Sequence, residues 1–579
     1  MIIDGRTIEN GSKLGCDVCI VGAGPAGLAT ASELMDRGLR IVVVESGGFA
    51  QDATTEALSA CTVEDNDDLY PDPRHARTRR VGGTSAQWDV DVAGKMHIHV
   101  MPLDASDFRR RSWLAHSGWP IDMEALEPYY IRAHALCGAG PFDNLPQSWA
   151  EDAFQPFAFP GERLGTRMLA LSPQSLFQRA LPRRLKASDH VKLLTWSNVV
   201  ELETDRDASR VTGVRVACLD GRGFRIAARM VVLAQGGFEV PRLLLASRRF
   251  APDGLGNRHD LVGRFLMDRQ IMKAGVLVPA DGRLGRFGFY DLRQVRGQHR
   301  LGKLTLSARL LESEQLLSSL VSFSPRERSP RRKLVVQPFG RATTSRSPAY
   351  RAARAFRDAI RERRLPADPG AQLGRLLRGL DDLFYIRVHR RSRFQTQYNL
   401  DNGGWAALPD LDARFDGLDV HQTCEQSPDY DNRVTLGADR DGVGMPAAHV
   451  NFRWNVLDIQ SILRTQEILK AAFEEAGLGT LRLSRRGELP VVARMSAHHP
   501  SGTTRMSSDP RRGVVDAECR VHGIANLFIA SSAVFPTSGS APPTLTVLAL
   551  AIRVADTIKS RFGAAQPSQR SSARQSPVS

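Results

Sequence analysis

The stretch Asp17-Val-Cys-Ile-Val-Gly-Ala-Gly-Pro-Ala-Gly-Leu-Ala29, followed by Ile41-Val-Val-Val-Glu45, decides the fold. An apolar run from Val18 to Val21 enters Gly22-x-Gly24-x-x-Gly27, and a small-residue helix follows through Leu34. A second apolar strand then ends in an acid. In that order the elements form a dinucleotide-binding fingerprint. Gly22 permits the tight strand-to-helix turn, and Gly24 lets the backbone approach a pyrophosphate seated on the helix N-terminus. Gly27 allows close packing of helix on strand, and Glu45 is placed to accept from a ribose 2′-hydroxyl. A carboxylate there repels a 2′-phosphate, which disfavours NADP and leaves FAD and NAD open.

Outward from this stretch, composition sets the frame. A chain of 579 residues exceeds one small core and implies two or more domains. Its composition is that of a soluble globular protein, with 42% hydrophobic and 24% charged residues. No apolar run reaches the roughly 18 residues of a membrane span. The N-terminus lacks both the basic and the apolar region of a signal peptide. Seven cysteines, thinly spread, argue against a disulfide framework and fit a reducing compartment, so a cytoplasmic location is expected. Cys16-x-x-Cys19 has redox or metal spacing but falls in a strand. Residues three apart there point to opposite faces, so two small core residues are expected and no metal site.

The net charge of +15 is concentrated. Between Arg326 and Arg393 stand 19 Arg/Lys against 6 Asp/Glu, which carries most of the excess. Without a general basic coat or a recognised motif, nucleic acid is a poor partner. Within the segment, Arg351, Arg354, Arg357 and Arg361 line one side of a helix expected over 349–364. Ala349, Ala352, Phe356, Ala359 and Ile360 line the other. Such a face is usually solvated, but it also suits an anionic membrane surface or an acidic partner.

Residues 46–80 read as a polar loop before Val81-Gly-Gly-Thr-Ser-Ala-Gln-Trp88, where adjacent glycines lead to small hydroxyl residues. Trp113 to Leu136 carries a helix with an apolar face at Leu126, Tyr129, Tyr130 and Ala133. Strands are expected at Val191–Leu194, Val199–Leu202, Val211–Cys218, Phe224–Ala227 and Met230–Leu233, with a hairpin turn at Gly221-Arg-Gly223. The last enters Ala234-Gln-Gly-Gly237, a second strand–glycine–helix transition. Leu266-Met-Asp268 reads as the exit from the nucleotide-binding domain. Beyond it lies a mixed second domain, strand-rich around Tyr385–Asn399 and Arg433–Trp454. The C-terminal block holds His498-His-Pro-Ser-Gly-Thr-Thr-Arg-Met506, Asn526-Leu-Phe-Ile-Ala-Ser-Ser, Pro543-Thr-Leu-Thr546 and an apolar helix to Lys559. After Phe562 the composition is that of a disordered tail.

Five of these motifs, in this order over about 560 residues, resemble the glucose–methanol–choline (GMC) family of FAD-dependent oxidoreductases. The resemblance implies an α/β protein: an FAD-binding Rossmann-like domain and a second α+β substrate domain built on an antiparallel sheet. Residues 1–110, 190–275 and 490–562 would form the discontinuous FAD-binding domain. Residues 111–189 and 276–489 would form the substrate domain with its basic insert 326–393, leaving the tail 563–579. By the same resemblance Gly22, Gly24, Gly27 and Glu45 hold the adenosine and pyrophosphate of FAD. Gly82, Gly83, Thr84 and Ser85 lie along the flavin. Ala234 and Gly236 form the second glycine-rich crossing, Ser531 and Ser532 a turn near the pyrophosphate. Pro543 and Thr544 begin a helix facing the flavin pyrimidine.

Two comparisons with the family are sharper. Where members carry FAD covalently, a histidine precedes the Trp of the Gly-Gly loop; Gln87 stands there, which implies non-covalent FAD. The histidine of His-x-x-Gly-Thr, here His499, is the implied catalytic base, taking a hydroxyl proton as hydride passes to flavin N5. His498 has no such motif role. The family's partner to that base precedes Pro-Thr-Leu-Thr, and here the position is Pro542, whose side chain neither donates nor accepts. Ser540 is the nearest substitute in sequence. The implied activity is oxidation of a CH–OH group in an alcohol, sugar or glycoside, with oxygen, a quinone or a protein as electron acceptor. The alternatives are a flavin-containing lyase of the same fold and a quinone-linked dehydrogenase on a membrane surface.

Overall fold

The computed structural model describes residues 1–65, 73–88, 90–92, 95–327, 348–361, 365, 366, 368–380, 383, 404–493 and 499–564. The expected strand region at Tyr385–Asn399, His498 and the tail beyond residue 564 lie outside the described residues.

The fingerprint folds as read. The strand Lys13–Val21 runs into the helix Pro25–Leu34, capped by the extended Gly24 with Pro25 at its first position, and the strand Ile41–Val44 returns parallel to the first. These strands lie inside an eight-stranded sheet, in the order Ile2–Asp4, Val191–Thr195, Ile41–Val44, Lys13–Val21, Gly223–Leu233, Val211–Ala217, Asn198–Thr204. Leu527–Ile529 adds in parallel to the far end of Gly223–Leu233. That long strand unites two strands expected separately from sequence. Its first half forms a hairpin with Val211–Ala217, while its whole length runs parallel to Lys13–Val21.

One strand detail departs from expectation. Cys16 and Cys19 are both buried, but they are not on opposite faces. The neighbouring Cys16 thiol, together with burial, pushes the Cys19 thiol up. The cause is local: the amides of Asp17 and Val18 both donate to the Arg40 carbonyl, and this bulge-like irregularity breaks the strict alternation. None of the seven cysteines is in a disulfide.

Helices are layered over the first sheet. The C-terminal helix Thr544–Ala564 packs on the fingerprint helix and on Met123–Leu136, where Tyr130 and Thr546 share a buried 2.8 Å hydrogen bond. The short helix Leu181–Lys186 packs on the fingerprint helix as well. Leu126, Tyr130, Ala133, Leu181 and Leu185 therefore belong to the core of the nucleotide-binding sheet, although sequence places 111–189 in the second domain.

The second sheet is larger and mainly antiparallel. Its central strands run Gln270–Pro279, Phe415–Cys424, Ser319–Glu327, Gln298–Leu306, Leu164–Pro173, Lys95–Val100. One face is apolar: Leu304, Val321, Leu418 and Val420 join Ile468, Leu469 and Phe473 of the helix Val456–Glu475 in a second core. The opposite face turns toward the nucleotide-binding domain and forms one wall of the main cavity. A third, three-stranded sheet joins Arg433–Arg440, Pro446–Phe452 and Cys61–Asp65, so the expected loop 46–80 contains a strand. In the basic insert a helix spans Pro348–Arg361, with Ala349, Ala352 and Ala359 buried and Arg357 exposed. No helix among the described residues is long and apolar enough to cross a membrane.

Candidate functional site

A cavity of about 520 Å³ lies between the two sheets. It brings together Gly22, Gly24, Glu45, Gly83, Thr84, Ser85, Ala234, Ser531, Ser532, Pro543, Thr544 and His499, which are separated by up to about 520 positions in the chain. Two expected residues stand behind the lining. Gly27 packs the helix on its strand: an added Cβ would meet the Gly22 carbonyl oxygen at 1.9 Å. Gly82 ties the two glycine loops together, its amide donating to the Ala23 carbonyl at 2.8 Å.

The two glycine loops meet back to back. Gly22 has φ +103°, and a Cβ there would sit 3.0 Å from the Ala234 carbonyl oxygen. Gly83 has φ +52°, and its Cβ would approach the Gly24 Cα to 2.9 Å. This Cβ-free cradle at a helix N-terminus fits the pyrophosphate of a dinucleotide. Glu45 is buried beside this cradle. Its carboxylate accepts from the amides of Ala23 at 2.8 Å and Gly47 at 3.0 Å, and each oxygen keeps a second lone pair for a ribose hydroxyl. Burial pushes this carboxyl up despite the two amides. Gln87 lines the cavity with its side-chain amide donating to the Thr78 hydroxyl at 2.8 Å.

At the other end the His499 segment is woven between three elements. Met267 and Ser501 exchange backbone hydrogen bonds of 3.0 and 2.8 Å. The Thr503 hydroxyl donates to the Gly237 carbonyl, and the Ser532 hydroxyl to the Pro500 carbonyl, both at 2.7 Å. The His499 amide donates to the Asp268 carboxylate at 2.6 Å. This clamp fixes the ring beside Arg269, whose Nη2 donates to His499 Nδ1 at 3.0 Å while Nη1 donates to the Ser540 carbonyl. Arg269 is 2% exposed, and burial lowers it to about 10, so it remains a cation at neutral pH. No carboxylate among the described residues lies within ion-pair distance of it.

Sequence reading missed Arg269. It stands next to Leu266-Met-Asp268, at the mouth of an alternating strand, and that polar position at a domain exit was the available signal. Arg269 reaches both the ring and the Ser540 carbonyl, two residues before Pro542. Also missed were Lys303, His421 and His99, which line the cavity from the second sheet, and a charge cluster beside the Gly236-Gly237 turn. There Glu239 pairs with Arg77, Arg79 (2.8 Å) and Arg242 (3.2 Å), and Arg242 also holds Asp441 at 2.6 Å.

Two family models match the chain: an FAD binding domain over residues 17–263 and GMC oxidoreductase over residues 428–551. The chain is 24% identical to 6'''-hydroxyparomomycin C oxidase of Streptomyces lividus over 95% of its length and 92% of that protein. It is 23% identical to 2-methyl-1,2-propanediol dehydrogenase of Mycolicibacterium austroafricanum over 94% and 95%. A solved fungal aryl-alcohol oxidase shares the fold at TM-score 0.51 and 16% identity, covering 96% of this chain and all of that one. Cradle, fold and matches together define an FAD-binding oxidoreductase. More particularly, the chain is similar to the GMC oxidoreductases, whose model it matches over residues 428–551.

Proposed function

We propose that this protein oxidises a CH–OH group of a small alcohol or carbohydrate, with His499 handling the hydroxyl proton and FAD held non-covalently. The single observation that carries the reading is His499 lining the same cavity as both glycine loops, braced by Arg269. The named relatives support it, since they are a 6'''-hydroxyparomomycin C oxidase and a 2-methyl-1,2-propanediol dehydrogenase. Bound FAD would supply the hydride acceptor. Gln87 supports non-covalent retention, because its amide is no nucleophile and is engaged with Thr78.

Arg269 refines the proton step. A guanidinium only donates, so His499 Nδ1 accepts and the neutral ring carries its proton on Nε2. In this resting arrangement Nε2–H is a donor to a substrate oxygen, where the sequence expectation is a base. For His499 to take the hydroxyl proton at Nε2, the Arg269 contact opens and water carries the ring proton from Nε2 to Nδ1. Closed, the pair binds and orients the hydroxyl oxygen; open, His499 serves as the base.

An anaerobic titration of the purified flavoprotein with a panel of alcohols and sugars tests the reading. Loss of the oxidised flavin absorbance with one substrate class is expected. A flavin that binds but is reduced by no member overturns it in favour of the lyase alternative. Acid precipitation of the same sample is expected to leave the flavin in the supernatant; flavin in the pellet would overturn non-covalent binding.

A further inference from the structure

The cavity wall furthest in character from the cofactor cradle is the polar face of the second sheet. Lys303 stands on the strand Gln298–Leu306, paired with Arg167 across Leu164–Pro173. On its other side Leu304 pairs with Val321, which sets Lys303 beside Ser322. Ser322 pairs with His421, and His421 with Lys273. Lys303, Ser322 and His421 all line the cavity, as does His99.

The charge on this wall is one-sided. Among the described residues no carboxylate forms an ion pair with Lys303. Burial pushes the Lys303 amine down to about 8, so it is still mainly a cation at neutral pH. The imidazoles beside it are neutral: burial, reinforced by Lys303, lowers His99 to about 3. Burial also lowers His421, with Lys303 and Lys273 opposing the raising effect of Asp419. Asp419 is itself paired with Lys273 at 3.3 Å. The carboxyl lining this side, Asp291, accepts from the amides of Leu292 at 2.7 Å and Ala406 at 2.9 Å, and burial pushes it up. His421 Nε2 meets the Ser324 hydroxyl at 3.2 Å, whereas its buried Nδ1 has no partner among the described residues.

A cation kept in a walled cavity without a counter-charge is costly, and so is an unpaired buried ring nitrogen. Both costs are offset when a ligand brings an anion and hydrogen-bonding oxygens. Resting on the alcohol-oxidation reading, we propose that the substrate is an alcohol that also carries an anionic group, a carboxylate or a phosphate. Lys303 binds that group, and Ser322 and His421 hydrogen-bond around it. The CH–OH end lies at His499, and Arg269 adds a second positive charge on that side. The site thus selects hydroxy acids, sugar acids or sugar phosphates over neutral polyols and rejects amino sugars.

The test reads binding without turnover, by calorimetry on His499→Ala holoenzyme at pH 7 and low salt. The probes are glucose, glucuronate and glucosamine, then glycerol, glycerate and glycerol 3-phosphate. At least one anion is expected to bind ten-fold or more tightly than its neutral counterpart, glucosamine to bind weakest, and Lys303→Met to abolish the preference while Lys303→Arg keeps it. Whether glycerate or glycerol 3-phosphate binds better separates carboxylate from phosphate. Equal affinities, no detectable binding of any anion, or a preference that survives Lys303→Met each overturn the proposal. So does a Lys303→Met variant that shifts the flavin midpoint potential but leaves anion binding unchanged, which would assign the lysine to the cofactor. Flavin bleaching in the His499→Ala background as fast as in the parent would instead contradict the role given to His499, while the affinities still decide the anion preference.

Discussion

Arg269 is the residue on which the chemistry turns. It touches the His499 ring and the Ser540 carbonyl, and nothing in the motif pattern announces it, because its role depends on a contact across 230 positions. Replacing it by Met leaves Nδ1 without its donor and frees the ring tautomer. The rate of flavin reduction in Arg269→Met is expected to fall by about 10- to 100-fold, and its pH profile to change shape. Arg269→Lys, which restores one donor, recovers part of the rate. Unchanged reduction kinetics in Arg269→Met would remove Arg269 from the mechanism. Lys303 makes a pH prediction at the same scale. A lysine lowered to about 8 loses its charge as pH rises past that value, so the anion preference should fade between pH 7 and 9. A preference constant across that range would contradict its dependence on the Lys303 charge.

The glycine loops were legible in sequence because their chemistry is backbone chemistry, fixed by residues that are neighbours or near-neighbours. Gly22, Gly24 and Gly83 stand where the fingerprint and the Gly-Gly turn put them, and the residues expected around the cofactor converge on one cavity. The polar wall was not legible. Its strands alternate as strands do, and alternation alone does not say which face meets the cofactor. Here Lys303 faces the cavity while Leu304 faces the second core, a fact set by the helix Val456–Glu475 covering the other side. The cradle itself is testable. Gly83→Ala places a Cβ at φ +52° and 2.9 Å from Gly24 Cα. A cost of about 1–3 kcal/mol is expected from such backbone strain, with flavin lost on gel filtration. Full flavin occupancy and an unchanged melting temperature in Gly83→Ala would contradict the back-to-back packing of the loops.

For the whole molecule, the domains interleave more than the sequence suggests. Helices at 123–136 and 181–186 close the nucleotide-binding layer, while Lys95–Val100 from the N-terminal region joins the second sheet. Composition shifts do not mark such exchanges, since both cores are built from the same apolar residues. The buried cluster at Glu239 fastens the loop before Gly82, the helix Glu239–Ala246 and the turn at Asp441 into one unit. Burial alone would raise the Glu239 carboxyl, but Arg79, Arg242 and Arg77 hold it well below its ordinary value of 4.5. A depressed acid stabilises the fold fully above its unfolded value and loses that contribution as pH falls through the folded one. Stability is therefore expected to drop below about pH 4.5, and Glu239→Gln, which removes the carboxylate shared by Arg77, Arg79 and Arg242, to cost about 3–5 kcal/mol at neutral pH. Urea unfolding from pH 3 to 7 checks both, and a variant as stable as the parent at pH 7 would contradict the account of the cluster.

The central claim is that His499, in a cavity shared with the FAD cradle, enables alcohol oxidation. Anaerobic stopped-flow reduction of the flavin by the best substrate of the panel, in parent and His499→Ala, tests it most directly. The account predicts full flavin content in both proteins, with reduction about 10²- to 10⁴-fold slower in the variant. Equal reduction rates in the two would contradict it.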